Sequence, residues 1–293
     1  MAESLTVHEP ARETPVVRKC DVLVVGGGPA GCAAAASASA TGADTVLVER
    51  YGHLGGMSTG GFVIWIDRMT DWDGKQVISG YARDLLDRVP KDAVLGPPDE
   101  LWGSRDSQLV DYWQERHNAF QDTVTWSPTI DPEMLKIAYM EHALEQGVKL
   151  ILHSWGVEAV RDGNEMKGVI FESKAGRQAI LADVVIDSTG DGDIFALAGA
   201  PYETNVFDPR QDPEAENFVI PATTHNLMNI SCRWGGVDME KYRDFKRNRA
   251  DDYRAIMARG MEIGVPDRPH MMPRDDVTLF MSPKFSGYSP LDI

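Results

Sequence analysis

From Val22 to Val25 the chain runs through aliphatic residues with no polar interruption, the pattern of a parallel strand buried on both faces. The run stops in glycines and gives way to CAAAASASA (residues 32–40), a small-residue stretch that predicts a helix able to pack closely on a sheet. A second apolar run, Thr45-Val46-Leu47-Val48, predicts another strand. Further on, Val77, Ile78, Tyr81, Leu85 and Val89 fall on one helical stripe. Asp131-Pro132 reads as an N-cap followed by proline at the first helical position. Met134, Ile137, Met140 and Leu144 share one face of the helix it opens, an expected core face, and Gly147 stops it. Val148–His153, Met166–Ser173 and Gln178–Ile186 predict a β-meander, with Arg161-Asp162-Gly163-Asn164 as one turn. Asp187–Asp193 then forms a second glycine-rich turn, with Asp193 expected to cap the helix at Ile194–Ala198.

The first turn carries chemistry. Gly26, Gly28 and Gly31 spell G-x-G-x-x-G between a strand and a helix. In the Rossmann arrangement the first glycine permits the turn, the second admits a pyrophosphate to the backbone, and the third lets the helix sit on the sheet. Glu49 ends the second strand close to the roughly 20 residues past the turn where an acid binds a ribose hydroxyl. A dinucleotide with a free 2′-hydroxyl fits that set. The next segment, YGHLGGMSTGG (residues 51–61), has five glycines in eleven residues. An NAD domain would continue into a helix here, so an NAD-only dehydrogenase is disfavoured.

These motifs, GGGPAGCAAAASASATGADTVLVERYGHLGGMSTGG with STGDGDIFALAGAP downstream, resemble the FAD-dependent oxidoreductases of the glutathione-reductase-like superfamily. More narrowly they resemble its fumarate-reductase-like flavoproteins, over roughly residues 20–200. The resemblance implies an α/β fold: a Rossmann-like FAD-binding domain with a parallel sheet and β-meander, plus a helical or mixed cap region for substrate. It implies that Gly26, Gly28, Pro29, Ala30 and Gly31 cradle the FAD pyrophosphate and that Glu49 and Arg50 serve the adenosine end. Gly55, Gly56, Met57, Ser58 and Thr59 would run beside the flavin. Val157 would approach adenine through its backbone, and Gly190-Asp191 would form the second cofactor turn. The expected organisation is a leader over 1–19, an FAD-binding domain over 20–203 with a mostly helical insertion at about 62–146, and a cap region over 204–293.

Candidates for chemistry beside the cofactor are His53, His225 and Arg233. His53 either tunes the flavin or faces solvent; Arg233 either anchors a substrate carboxylate or pairs with one of the many acids. The family's C-terminal segment that closes the FAD site, a turn followed by a small-residue helix of the G-Q-A-A-G type, has no match between Gly199 and Ile293. The expectation is a second protein chain completing the site, or a fragment of a longer polypeptide. The function expected is hydride transfer between a small organic substrate and flavin; the alternatives are a flavin monooxygenase and a non-catalytic partner subunit.

Composition narrows this further. A net charge of -16, with no basic face standing out in the sequence, argues against a nucleic-acid partner and disfavours an anionic membrane surface. Cys20, Cys32 and Cys232 form neither a metal-binding pair nor a disulfide framework. No metal is expected, and a reducing cytoplasm is. The N-terminus lacks the apolar core of a signal peptide.

Overall fold

Four of the apolar runs lie side by side in one sheet. The computed structural model describes residues 6–202, 228–263, 265 and 269–285. In chain order, β1 (Val16–Val25), α1 (Pro29–Ala40) and β2 (Thr45–Val48) come first. An insertion follows with α2 (Tyr81–Leu86), β3 (Val94–Leu95), α3 (Ser107–Gln114), β4 (Ala119–Phe120), β5 (Thr123–Val124) and β6 (Thr129–Ile130). Next are α4 (Pro132–Glu145), β7 (Lys149–Ile151), β8 (Trp155–Asp162), β9 (Glu165–Ser173), β10 (Gly176–Asp187) and α5 (Asp193–Leu197). The last described elements are β11 (Met228–Gly235), α6 (Met239–Asn248), α7 (Ala250–Glu262), β12 (His270–Met271) and β13 (Val277–Phe285).

The chain divides into two units, Met1–Leu54 with Glu141–Ala200 and Gly55–Met140 with Pro201–Ile293. The first unit holds a six-stranded sheet in the order β7-β2-β1-β10-β9-β8. Its first four strands are parallel: Val24 pairs with Leu47 on one side and Ile186 on the other, and Val48 pairs with Ile151. β8, β9 and β10 form the antiparallel meander. Leu23, Val46 and Ile180 are fully buried in the cluster between sheet and helices, and each such side chain contributes roughly 1.5–3 kcal/mol. A Rossmann-like α/β fold with a mainly parallel sheet is therefore present.

The meander differs from the sequence expectation in one strand. Val148–His153 supplies the parallel edge strand β7, and Trp155–Asp162, unread as a strand, opens the meander instead.

Among its described residues, the second unit contains a three-stranded antiparallel sheet, β11-β13-β12, a short antiparallel pair of β3 with β6, and a hairpin of β4 with β5. Ile64, Met272 and Leu279 form one small core; Val110, Trp113, Ala119 and Val124 form another. Within residues 62–146 the helices α2, α3 and α4 are joined by loops and two-residue strands. The expected stripe from Val77 does not form: Gly80 takes a left-handed φ of 61°, the helix starts only at Tyr81, and Val77 and Ile78 stay exposed. On α4 the buried face is Leu135, Ala138, Tyr139, His142 and Ala143, whereas Ile137 and Leu144 face outward. Among the described residues, no helix is long and apolar enough to cross a membrane.

Candidate functional site

The turn after β1 is packed tightly at two of its glycines and open at a third. Gly26 has φ of 98°, and a Cβ there would fall 2.5 Å from the Ser188 carbonyl oxygen. A Cβ on Gly31 would lie 1.8 Å from the Gly26 carbonyl oxygen. Both glycines are thus demanded by the protein's own packing. Gly28 is different. Its backbone is extended, at φ -70° and ψ -178°, and a Cβ would meet nothing within 4 Å. Among the described residues, no atom requires glycine at this position, so the open space beside it suits a ligand's approach.

Gly28 caps α1, with Pro29 at the first position and no acidic residue in the first turn. The helix presents unpaired N–H groups and the positive end of its dipole without a competing carboxylate. Pro29 and Ala30 are exposed beside them. Behind the turn, the Cys32 thiol donates to the Gly27 carbonyl at 3.2 Å, and the buried Gly31-Cys32-Ala35-Ala36 face seats the helix.

Glu49 is only 6% exposed. Its Oε2 accepts the Gly27 N–H at 2.6 Å and its Oε1 accepts the Tyr51 N–H at 2.7 Å. The remaining carboxylate lone pairs are free for a hydroxyl donor. The Arg50 guanidinium lies 4.8 Å from the Tyr51 ring centre and 5.6 Å from that of Trp155. The His53 ring stacks on Tyr51 at 5.7 Å, and its Nδ1 is 3.3 Å from the Leu54 carbonyl. Val157 lies between Gly156 and Glu158, where the β8–β9 register shifts, so it has no partner on β9.

The second glycine-rich turn abuts the first through Ser188, whose N–H donates to the Val25 carbonyl at 2.8 Å. Asp187 organises it: Oδ1 accepts from the Thr189 N–H and hydroxyl, and Oδ2 accepts the Phe195 N–H at 2.8 Å. Asp193 is not the cap; Gly192, left-handed, holds that position. Burial pushes the Asp193 carboxyl up, helped by the charge of Asp191 and offset by Arg50. Gly190 and Asp191 are exposed, and a Cβ at Gly190 would also meet nothing within 4 Å.

In the second unit, Gly56–Ser58 forms a single 3₁₀ turn. Gly55 has φ of 99°, and a Cβ there would strike Thr59 and Tyr139. The Ser58 hydroxyl donates to the Gly55 carbonyl at 2.8 Å and lies 3.2 Å from the Tyr139 hydroxyl. Thr59 is buried and Met57 exposed. Arg233 pairs with Glu133 at 3.0 Å and lies over the Phe62 ring at 5.1 Å. Lys136 chiefly, with Arg233, holds the Glu133 carboxyl below its usual range. An anchoring role for Arg233 would require Glu133 to yield. His225 lies outside the described residues. Sequence reasoning passed over Gly27, Ser188 and Asp187, which act through backbone bonds; the Asp-x-Thr spacing of Asp187 and Thr189 was the readable signal for a side-chain-closed turn.

The residues present fit a dinucleotide, on the evidence of the Gly28 opening and the buried Glu49. Among the described residues, no group of three or more His, Cys, Asp or Glu is placed to hold a metal ion. A family model described as "FAD dependent oxidoreductase" matches residues 21–277. No curated protein matches the sequence. Solved structures similar to the chain include CabE, an aromatic hydroxylase from angucycline biosynthesis, at 18% identity over 74% of this chain and 42% of that one, with a TM-score of 0.44. THI4 of Thermovibrio ammonificans is 16% identical over 64% of this chain and 65% of its own, with a TM-score of 0.39. An L-proline dehydrogenase from P. horikoshii is 17% identical over 64% and 57%, also at 0.39. The chain spans less than two thirds of the length of each.

Proposed function

The chain belongs to the FAD dependent oxidoreductase family, and from this we propose that it is a flavoenzyme moving a hydride between a small organic substrate and FAD. Gly28 carries the reading: an opening at a helix N-terminus that none of the described residues fills, beside an acid already oriented by two backbone amides. Bound flavin supplies the two-electron chemistry. The chain's own residues would hold it: the Gly26–Gly31 turn the pyrophosphate, Glu49 the ribose, and Arg50 with the Val157 backbone the adenine. Gly190-Asp191 would form the second cofactor turn, and the family resemblance assigns Gly55–Thr59 to the flavin end. His53 is the nearest candidate in the sequence for adjusting the ring, and His225 and Arg233 are those for substrate. The motifs support membership of the glutathione-reductase-like superfamily and its fumarate-reductase-like branch.

A second polypeptide, or the remainder of a longer one, completing the FAD site belongs to the same reading. It is supported by the missing match to the family's closing segment in residues 199–293. Exposed apolar side chains at Trp155, Val184 and Phe195, on three elements of the first unit, point the same way. A cytoplasmic setting is supported by Cys20, Cys32 and Cys232, all free thiols.

The test is the visible spectrum of the purified chain after FAD addition, alone and co-expressed with the product of the adjacent reading frame. Flavin bands in either sample, lost in Gly28→Ala, are expected. A protein that stays colourless under both conditions would sink the proposal.

A further inference from the structure

We propose that the second unit carries a binding site for a zwitterionic small molecule of amino-acid type, in the cleft between α3 and α6. The cleft has a volume of about 680 Å³, within the usual range for small-molecule sites. Its two walls have opposite charge. Asp111 and Glu115 stand one turn apart on the α3 side; Arg243, Lys246 and Arg247 occupy one face of α6.

These five charges do not neutralise one another. Among the described residues, none of them has an ion pair; Arg243 approaches the Met271 sulfur at 3.9 Å, and Arg116 lies within charge range of both Glu115 and Arg243 without pairing with either. That is unusual for this chain, where acids outnumber bases 45 to 29. Elsewhere its arginines find carboxylates: Arg18 with Asp44, Arg83 with Asp87, Arg177 with Glu172, Arg274 with Asp276. Two acids and three bases facing each other across a gap are completed by one molecule bearing an ammonium at one end and a carboxylate at the other. The acids take the ammonium, and Arg243 with Lys246 takes the carboxylate.

The floor explains why the gap stays open. Asn118, fully buried, accepts the Ser127 N–H at 2.8 Å and donates to the Arg116 carbonyl at 2.9 Å, while its own N–H donates to the Trp113 carbonyl. These bonds hold His117 in a left-handed conformation, φ 57°. Arg116 is taken up by Tyr112, whose carbonyl it meets at 2.8 Å and whose ring lies 3.6 Å from it. The Trp65 ring lies 6.1 Å from that of His117 and 6.2 Å from that of Phe120, bracing both. A site preorganised in this way loses less on binding. Its aromatic lining, Phe120, His117 and Tyr242, selects an apolar side chain on the ligand.

The inference does not depend on flavin, because binding is read without turnover. Calorimetric titration of the full chain would compare L-phenylalanine with 3-phenylpropanoate, which lacks the ammonium, and 2-phenylethylamine, which lacks the carboxylate. L-Phenylalanine is expected to bind about tenfold tighter than either, the loss of one charge-assisted hydrogen bond. Asp111→Asn with Glu115→Gln should abolish its advantage over 3-phenylpropanoate. Arg243→Gln with Lys246→Gln should abolish its advantage over 2-phenylethylamine. If the Arg243 variant fails to fold, Lys246→Gln with Arg247→Gln, both exposed, makes the same test. Equal affinity for 3-phenylpropanoate would mean a plain anion site, and equal affinity for the amine a plain cation site; either overturns the proposal. So would no binding of any probe, or preferences that survive in the variants.

Discussion

The Glu49 carboxylate accepts the Gly27 N–H at 2.6 Å, and that bond joins the end of β2 to the turn that follows β1. Its other oxygen holds the Tyr51 N–H. Glu49→Gln keeps the shape but turns an NH₂ toward one of these donors, leaving a buried amide unsatisfied. The expected cost is about 1–3 kcal/mol, read from denaturant unfolding followed by circular dichroism. Retained flavin should fall in parallel. An unchanged midpoint would show that the two amides find other acceptors.

Gly28 and Gly31 should separate folding from cofactor binding. Gly31→Ala places a methyl 1.8 Å from a backbone oxygen and should destabilise the apo chain by several kcal/mol, on the order of 3 or more. Gly28→Ala has room and an ordinary extended backbone, so the apo chain should be as stable or gain about 0.5 kcal/mol. Flavin binding should nonetheless fail. A melting curve and a visible spectrum on each variant decide the matter.

Burial pushes the Cys20 thiol up to about 11, with Asp44 adding to the effect. Between its ordinary value and 11 the thiol ionises in the unfolded chain but not in the folded one. The contribution is therefore complete below pH 9 and lost as the pH rises toward 11. Cys20→Ser should flatten the alkaline limb of the stability profile. At pH 8, iodoacetamide should label Cys232, half-buried, ahead of Cys20 and Cys32, both buried. Peptide mass mapping would show the order.

Asp44 ties three elements together. Lys149 Nζ meets it at 2.6 Å and Arg18 Nη2 at 3.1 Å, and these partners, Lys149 first, hold its carboxyl below the usual range. The stabilisation is present above the ordinary carboxylate value and lost as pH falls through the lowered one. Asp44→Asn should lower the melting temperature slightly at pH 7, and the difference from the parent should vanish in acid. A difference that persists at low pH would point to lost packing instead.

The cradle was legible because strands buried on both faces leave unbroken apolar runs, and turns that need positive φ leave glycines. β8 was not, because an edge strand carrying Glu158, Arg161 and Asp162 dilutes its apolar signal. β7 was misassigned because Val148–His153 precedes the meander in sequence, while its partner, β2, lies some hundred residues earlier. On α4, apolar residues surround much of the helix, so Met134, Ile137, Met140 and Leu144 made a stripe as plausible as the Leu135–Tyr139–His142 face that is buried. The cleft was invisible for a simpler reason: Asp111 and Arg243 are brought together only by the fold.

The position of β1 between β2 and β10 sets an order of assembly. β2 follows closely in the chain, but β10 pairs with β1 across some 160 residues, Val16 meeting Ala179 and Val25 meeting Asp187. During synthesis β1 emerges early and waits with one edge unsatisfied. The β8–β9–β10 meander, made of adjacent hairpins, can form by itself and then dock as a preassembled edge. Loop closure across that distance makes the docking slow. A nascent chain stalled before Asp187 should therefore expose a sticky strand edge, and chaperones would be engaged most in that interval.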